Sequence, residues 1–133
     1  MAFENRGLDI RFDAGEDLSS SQYRFMELNS DGEAILAGAT GGYAVGILQN
    51  TPEEGYAAAV RVDGVSKLAI GSTGIYGTTG VAINTFVSPD ANGRGVGETG
   101  VGYAPKYTKA RVLESTYLFD KLSTVEIVSA NPA

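Results

Sequence analysis

The sequence predicts an all-β fold: a small single-domain β-barrel, β-tulip-like body or sandwich over residues 1–133, with short strands and Gly-rich loops. Three observations carry this. Apolar residues alternate with polar ones at a period of two in several short runs. Turn residues interrupt those runs about every ten positions. The 18 glycines are too frequent for long helices, because each costs roughly 1 kcal/mol in a helix interior relative to alanine.

Leu8, Ile10 and Phe12 alternate with Asp9, Arg11 and Asp13, which predicts a first strand. Tyr23 to Leu28 and Glu33 to Ala37 flank Asn29, Ser30, Asp31 and Gly32, the composition of a four-residue hairpin loop in which Gly32 takes positive φ. Tyr43 to Leu48 is a short apolar run that Asn50, Thr51 and Pro52 stop.

Gly55 to Ile70 predicts a second hairpin. With Val62, Asp63 and Gly64 as its loop, Tyr56 would pair with Ile70, Ala58 with Leu68 and Val60 with Ser66 on one side. Ala59 would meet Lys67, and Arg61 would meet Val65, on the other. Glycines then recur at Gly71, Gly74, Gly77 and Gly80, and again from Gly93 to Gly102, which predicts tight loops or a bulged edge. Between them Val81, Ile83, Thr85 and Val87 alternate as a strand that Pro89, Asp90, Asn92 and Gly93 close as a turn. Near the end, Lys109 and Arg111 alternate with Ala110 and Val112, and Val125 to Val128 forms a later run. Two strands are favoured here over a helix from Lys109 to Leu118.

Composition narrows the function. Cysteine, histidine and tryptophan are absent, so an enzyme would have to work with carboxylates, lysines, tyrosines or hydroxyls. Without cysteine, folding needs no oxidising compartment, and synthesis in a cytoplasm is expected. The start of the chain lacks the pattern of a signal peptide, and no run is long enough to span a bilayer, so no membrane association is expected. A net charge of −6 argues against a nucleic-acid partner. The charge is uneven: residues 1–60 hold ten acids and three bases, whereas residues 61–133 hold six acids and seven bases.

The motifs that touch chemistry are weak. Gly95, Gly97 and Gly100, with Asp120 beyond, match a dinucleotide fingerprint in spacing, but no helix is expected to follow them. Asn29, Asp31 and Glu33 alternate as in a calcium loop without its remaining ligands, so a solvated hairpin tip is expected. Glu16 with Asp17, and Glu53 with Glu54, are neighbours in sequence and would point to opposite faces of a strand, which is no acid–base pair. No catalytic residue, metal site or cofactor is expected, and the chain reads as a protein-binding module. Seven tyrosines leave a carbohydrate-binding or tail-associated adhesin module as the alternative.

One further pattern runs from Phe12 to Ile70. Phe12, Ala14 and Gly15 are followed by Gln22 and Tyr23, then by Ser30, Asp31 and Gly32, and then by Ala37. Gly46, Ile47, Leu48, Gln49 and Asn50 come next, with Pro52, Gly55, Ala58, Val60, Val62 and Gly64 behind them. In this order the chain resembles the capsid decoration, or cement, proteins of tailed bacteriophages. The resemblance implies a small β-barrel or tulip-like protein, a homotrimer, added to the outer surface of an expanded capsid. Its partners would be the major capsid protein and its own copies. Within that reading, the shell-binding element is expected in a flexible N-terminal arm, Ala2, Phe3, Glu4, Asn5, Arg6 and Gly7, and subunit contacts are expected at Ala57 and Ala59.

Overall fold

The computed structural model describes residues 7–38, 44–71, 83–84, 86–97, 110–114 and 121–128. Every regular element among them is a strand: β1 (Leu8–Asp13), β2 (Phe25–Leu28), β3 (Ala34–Leu36), β4 (Gly46–Leu48), β5 (Ala57–Ala69), β6 (Phe86–Pro89), β7 (Gly95–Gly97), β8 (Ala110–Val112) and β9 (Leu122–Ile127). They form a nine-stranded sheet in the order β3-β2-β4-β5-β9-β8-β6-β7, with β1 also paired to β5. All the ladders are antiparallel. The sheet curls into a small barrel-like body because two parallel bridges, Ala14 to Ala34 and Ile70 to Gly95, tie strand ends together across it.

The 13-residue strand β5 organises the molecule. Its first part, Ala57 to Asp63, pairs with β1 and β4, and its second part, Gly64 to Ala69, pairs with β9. The expected hairpin is therefore corrected. Val62, Asp63 and Gly64 do not turn the chain back, and Ala58 faces Phe12 while Leu68 faces Ser123. Gly64 has φ 103° and bends the strand without ending it. The face assignment behind the hairpin holds for Ala58, Val60, Ser66, Leu68 and Ile70, which are all buried, and fails for Tyr56, which lies before β5 begins and is exposed. A period of two reports which face is covered; it does not report whether the covering strand is local.

The other elements follow their sequence signals closely. β2 and β3 form the first hairpin, with Gly32 at φ 78°. Asn29 Oδ1 accepts hydrogen bonds from the amides of Asp31 and Glu33, which consumes the oxygen a cation would need. β8 and β9 confirm two C-terminal strands. The strand expected from Val81 to Val87 starts later, at Phe86, and runs through Pro89. Asn84, at φ 70°, lies in a turn just before it. Val81 and Thr85 lie outside the described residues. Gly95 and Gly97 belong to β7, so they open no helix; Gly100 and Asp120 lie outside the described residues.

The topology repeats. Strands β1 to the first part of β5 form a hairpin β2–β3, pair β2 with β4, and pair β4 with β5. The second part of β5 through β9 does the same with β6–β7, β8 and β9. The registers correspond residue by residue: Phe25 faces Ile47 as Phe86 faces Arg111, and Leu48 faces Val60 as Val112 faces Val125. Asp90 Oδ1 accepts from the amides of Asn92 and Arg94, just as Asn29 does in the first loop, and Gly93 (φ 72°) is the counterpart of Gly32. The amide of Gly15 donates to Ala34 O as that of Gly71 donates to Gly95 O, both at 2.8 Å. The fold is thus an internal duplication in which β5 is the last strand of one unit and the first strand of the next.

Two clusters fill the interior. One contains Ala14, Leu18, Met26, Ala34, Leu48, Ala58 and Val60 from the first unit. The other combines Leu68, Ile70, Val87, Ala110, Val112, Val125 and Ile127 of the second unit with Phe25 and Ile47, which the first unit contributes from its outward face. The two units are therefore joined by shared core as well as by β5.

Candidate interaction surface

The sequence-derived shell-binding arm falls largely outside the described residues: only Gly7 is placed, and Ala2, Phe3, Glu4, Asn5 and Arg6 are not among them. Gly7 is half-buried, and a Cβ there would run into the Asp63 carbonyl and the Arg61 side chain. Gly7 thus lies against the middle of β5. Ala57 and Ala59 are half-buried in β5, opposite Asp13 and Arg11 of β1. Their backbones are fully engaged: Asn50 Nδ2 donates to Ala57 O, Asn50 Oδ1 accepts from Ala59 N, and Gln49 N donates to Ala59 O.

Two of the paired carboxylates, Glu16 and Asp17, serve local structure. Glu16 Oε1 accepts from the Leu36 amide at 3.2 Å. Asp17 caps the Ser19 amide, and hydrogen bonds from the Ser19 hydroxyl and amide hold its carboxyl below the ordinary value. Glu53 and Glu54 are exposed in the turn before Tyr56. Among the described residues no three His, Cys, Asp or Glu side chains gather as metal ligands.

Among the described residues, two shallow grooves mark the surface. One, of about 570 Å³, is lined by Asn50, Thr51, Pro52, Glu53, Tyr56 and Ala57. The other, of about 310 Å³, lies where the units meet and is lined by Tyr23, Gln49, Arg61, Val65, Ser66, Lys67 and Thr124. The polar side chains of the second groove are occupied with one another. Arg61 makes a two-pronged pair with Asp9 (2.7 and 3.2 Å) and donates to Val65 O; this pairing raises the guanidinium pKa. Gln49 bonds Ser66 Oγ and Ile47 O, and the Lys67 ammonium stands 5.8 Å from the centre of the Tyr23 ring.

What the surface offers a partner is apolar. Leu8 and Ile10 on β1, Leu28 at the end of β2, Tyr56, Ile83, Phe86 and Leu122 are all exposed. Phe86 stands out because its counterpart Phe25 is completely buried. Sequence reasoning missed it, since a phenylalanine heading a strand reads as core. The available signal was the parallel between Phe25 with Asn29-Ser-Asp-Gly32 and Phe86 with Asp90-Ala-Asn-Gly93.

No family model and no curated protein matches the chain. A solved structure does: the crystal structure of the head fibre gp8.5 N base of bacteriophage phi29, with a TM-score of 0.66, 14% identity, and coverage of 95% of this chain and 98% of that one. The nine-stranded, barrel-like fold described above is thus similar, over almost its whole length, to the base of a phage head fibre.

Proposed function

We propose that this chain is a structural protein of a tailed-phage virion, which binds the outer surface of the assembled capsid as a homotrimer and stabilises the shell by bridging neighbouring capsomers. The observation that carries the reading is the end-to-end likeness of fold to the phi29 head-fibre base. The resemblance of Phe12 to Ile70 to capsid decoration proteins supports it from the side of sequence. On this reading the partners are the major capsid protein and copies of the chain itself, and the protein performs no reaction.

The mechanism is mechanical and thermodynamic. A trimer over a junction of capsomers offers three identical attachment points, so each weak contact is reinforced by the effective concentration the other two create. A ligand that binds only the assembled lattice stabilises it by mass action, by about 4 kcal/mol per site at a thousandfold excess over the dissociation constant. The test is the copy number of this polypeptide relative to the major shell protein in purified virions, by quantitative mass spectrometry. Hundreds of copies in a fixed simple ratio support the reading; a handful or none sinks it. Removal of Ala2 to Gly7 is expected to lower capsid occupancy and leave the trimer intact. The alternative, a carbohydrate-binding adhesin, draws on Tyr56, exposed beside the groove at Asn50 to Glu53. Binding on a glycan array would favour it.

A further inference from the structure

The duplication gives the chain two unlike ends, and the contact between its own units shows what each end fits. Inside the chain, the first unit presents Phe25 to the second, and the loop of the second unit closes on it. The Phe25 amide donates to Gly93 O at 2.8 Å, the Arg24 guanidinium donates to Asn92 O at 3.3 Å, and Gly93 lies so close to Leu36, Phe25 and Arg24 that a Cβ would not fit. The same two features recur exposed, one on each unit. Phe86, the counterpart of Phe25, is 47% exposed on the second unit. The loop Asn29–Gly32, counterpart of Asp90–Gly93, is exposed at Ser30, Asp31 and Gly32 on the first, with open space around Gly32.

We infer that copies of this chain associate head to tail, with Phe86 of one copy seated against the Asn29–Gly32 loop of the next in the way Phe25 is seated against Asp90–Gly93. Two further observations fit. The strands would follow one another without overlap, because β9 ends at Ile127, the counterpart of Val62, and β1 starts at Leu8, the counterpart of Gly64. The charges are complementary as well: the head belongs to the half with ten acids and three bases, and the tail to the half with six acids and seven bases. Beside Phe86, Arg111 replaces the apolar Ile47 and pairs with Glu126 at 3.1 Å, which gives the tail a guanidinium that the acidic loop of the next copy can share. Such a contact is heterologous and closes into a ring only when its rotation permits, which is the type of interface a threefold assembly requires. The inference does not depend on capsid binding: it is a property of the purified chain.

The native chain contains no cysteine, so single cysteines report contacts cleanly. Asp31→Cys and Arg111→Cys, the second placing its thiol across from an intact Phe86, would be purified separately, mixed, and treated with a short bifunctional maleimide. Cross-linked dimer is expected from the mixture and from neither variant alone. Dimer from either variant alone, or none from the mixture, overturns the head-to-tail contact. In parallel, light scattering is expected to give the unmodified chain a mass above the 13.9 kDa of one copy, and Phe86→Glu a mass near it, with the far-UV circular dichroism of Phe86→Glu unchanged because that side chain is 47% exposed and absent from both core clusters. An unmodified chain that stays at 13.9 kDa at all concentrations refutes the inference. Normal virion occupancy in the same preparation would leave the capsid reading standing.

Discussion

Among the described residues, two other than glycine take positive φ, Tyr23 at 63° and Asn84 at 70°, and they are counterparts in the two units. The amide of Tyr23 donates to Leu48 O and that of Asn84 to Val112 O, so the same strained backbone is held by the same bond twice. The loop acceptors Asn29 and Asp90 form a second such pair. Each takes two backbone amides, and Asn29→Ala or Asp90→Ala is expected to cost about 1–2 kcal/mol, with similar values for the two, by urea unfolding. Glycines separate space from conformation. A Cβ at Gly46 would collide with the Arg61 backbone and Val60, so Gly46→Ala is expected to lose about 3 kcal/mol. Gly32 has free space but φ 78°, so Gly32→Ala should lose only about 1 kcal/mol. A Gly32→Ala variant as damaged as Gly46→Ala would overturn this ordering.

At the scale of elements, β5 sets strand propensity against backbone geometry. Valine normally suits a strand, by up to about 1 kcal/mol. Gly64 nevertheless sits at φ 103°, so Gly64→Val is expected to destabilise by about 2 kcal/mol or more, measured as a lower midpoint in chemical denaturation. β5 is also where legibility in the sequence ends. β1, the β2–β3 hairpin, β4 and the last two strands can be read from alternation and turn chemistry, because their signals are local. Whether Gly64 turns or merely bends the chain is decided by β1, β4 and β9, partners distant in sequence. The candidate surface was less legible still. Small side chains such as Ala57 and Ala59 do not reveal in sequence that their backbones are held by Asn50 and Gln49. Phe86 looks like Phe25 in sequence, yet one is 47% exposed and the other is buried.

For the whole molecule, shared core and a shared strand predict shared stability. Phe25 and Ile47 sit in the second unit's cluster, so neither half can lose its packing without disturbing the other. Leu48→Ala in the first cluster is expected to cost about 2–4 kcal/mol, and Val112→Ala in the second somewhat less. Both should shift one common unfolding transition, seen alike by circular dichroism and tyrosine fluorescence. Two separated transitions in either variant would mean that the units melt independently.

The placement of β1 and β9 also governs how the molecule bears tension. Both run antiparallel to β5 and hence parallel to each other, with β1 starting opposite Asp63 and β9 ending opposite Gly64. Gly7 and Val128 therefore both leave the sheet at the middle of β5. A pull that separates them loads each ladder at its end there, so the hydrogen bonds give way one at a time instead of together. Stretched between these two points, the chain opens like a zipper from its centre, outward in both directions.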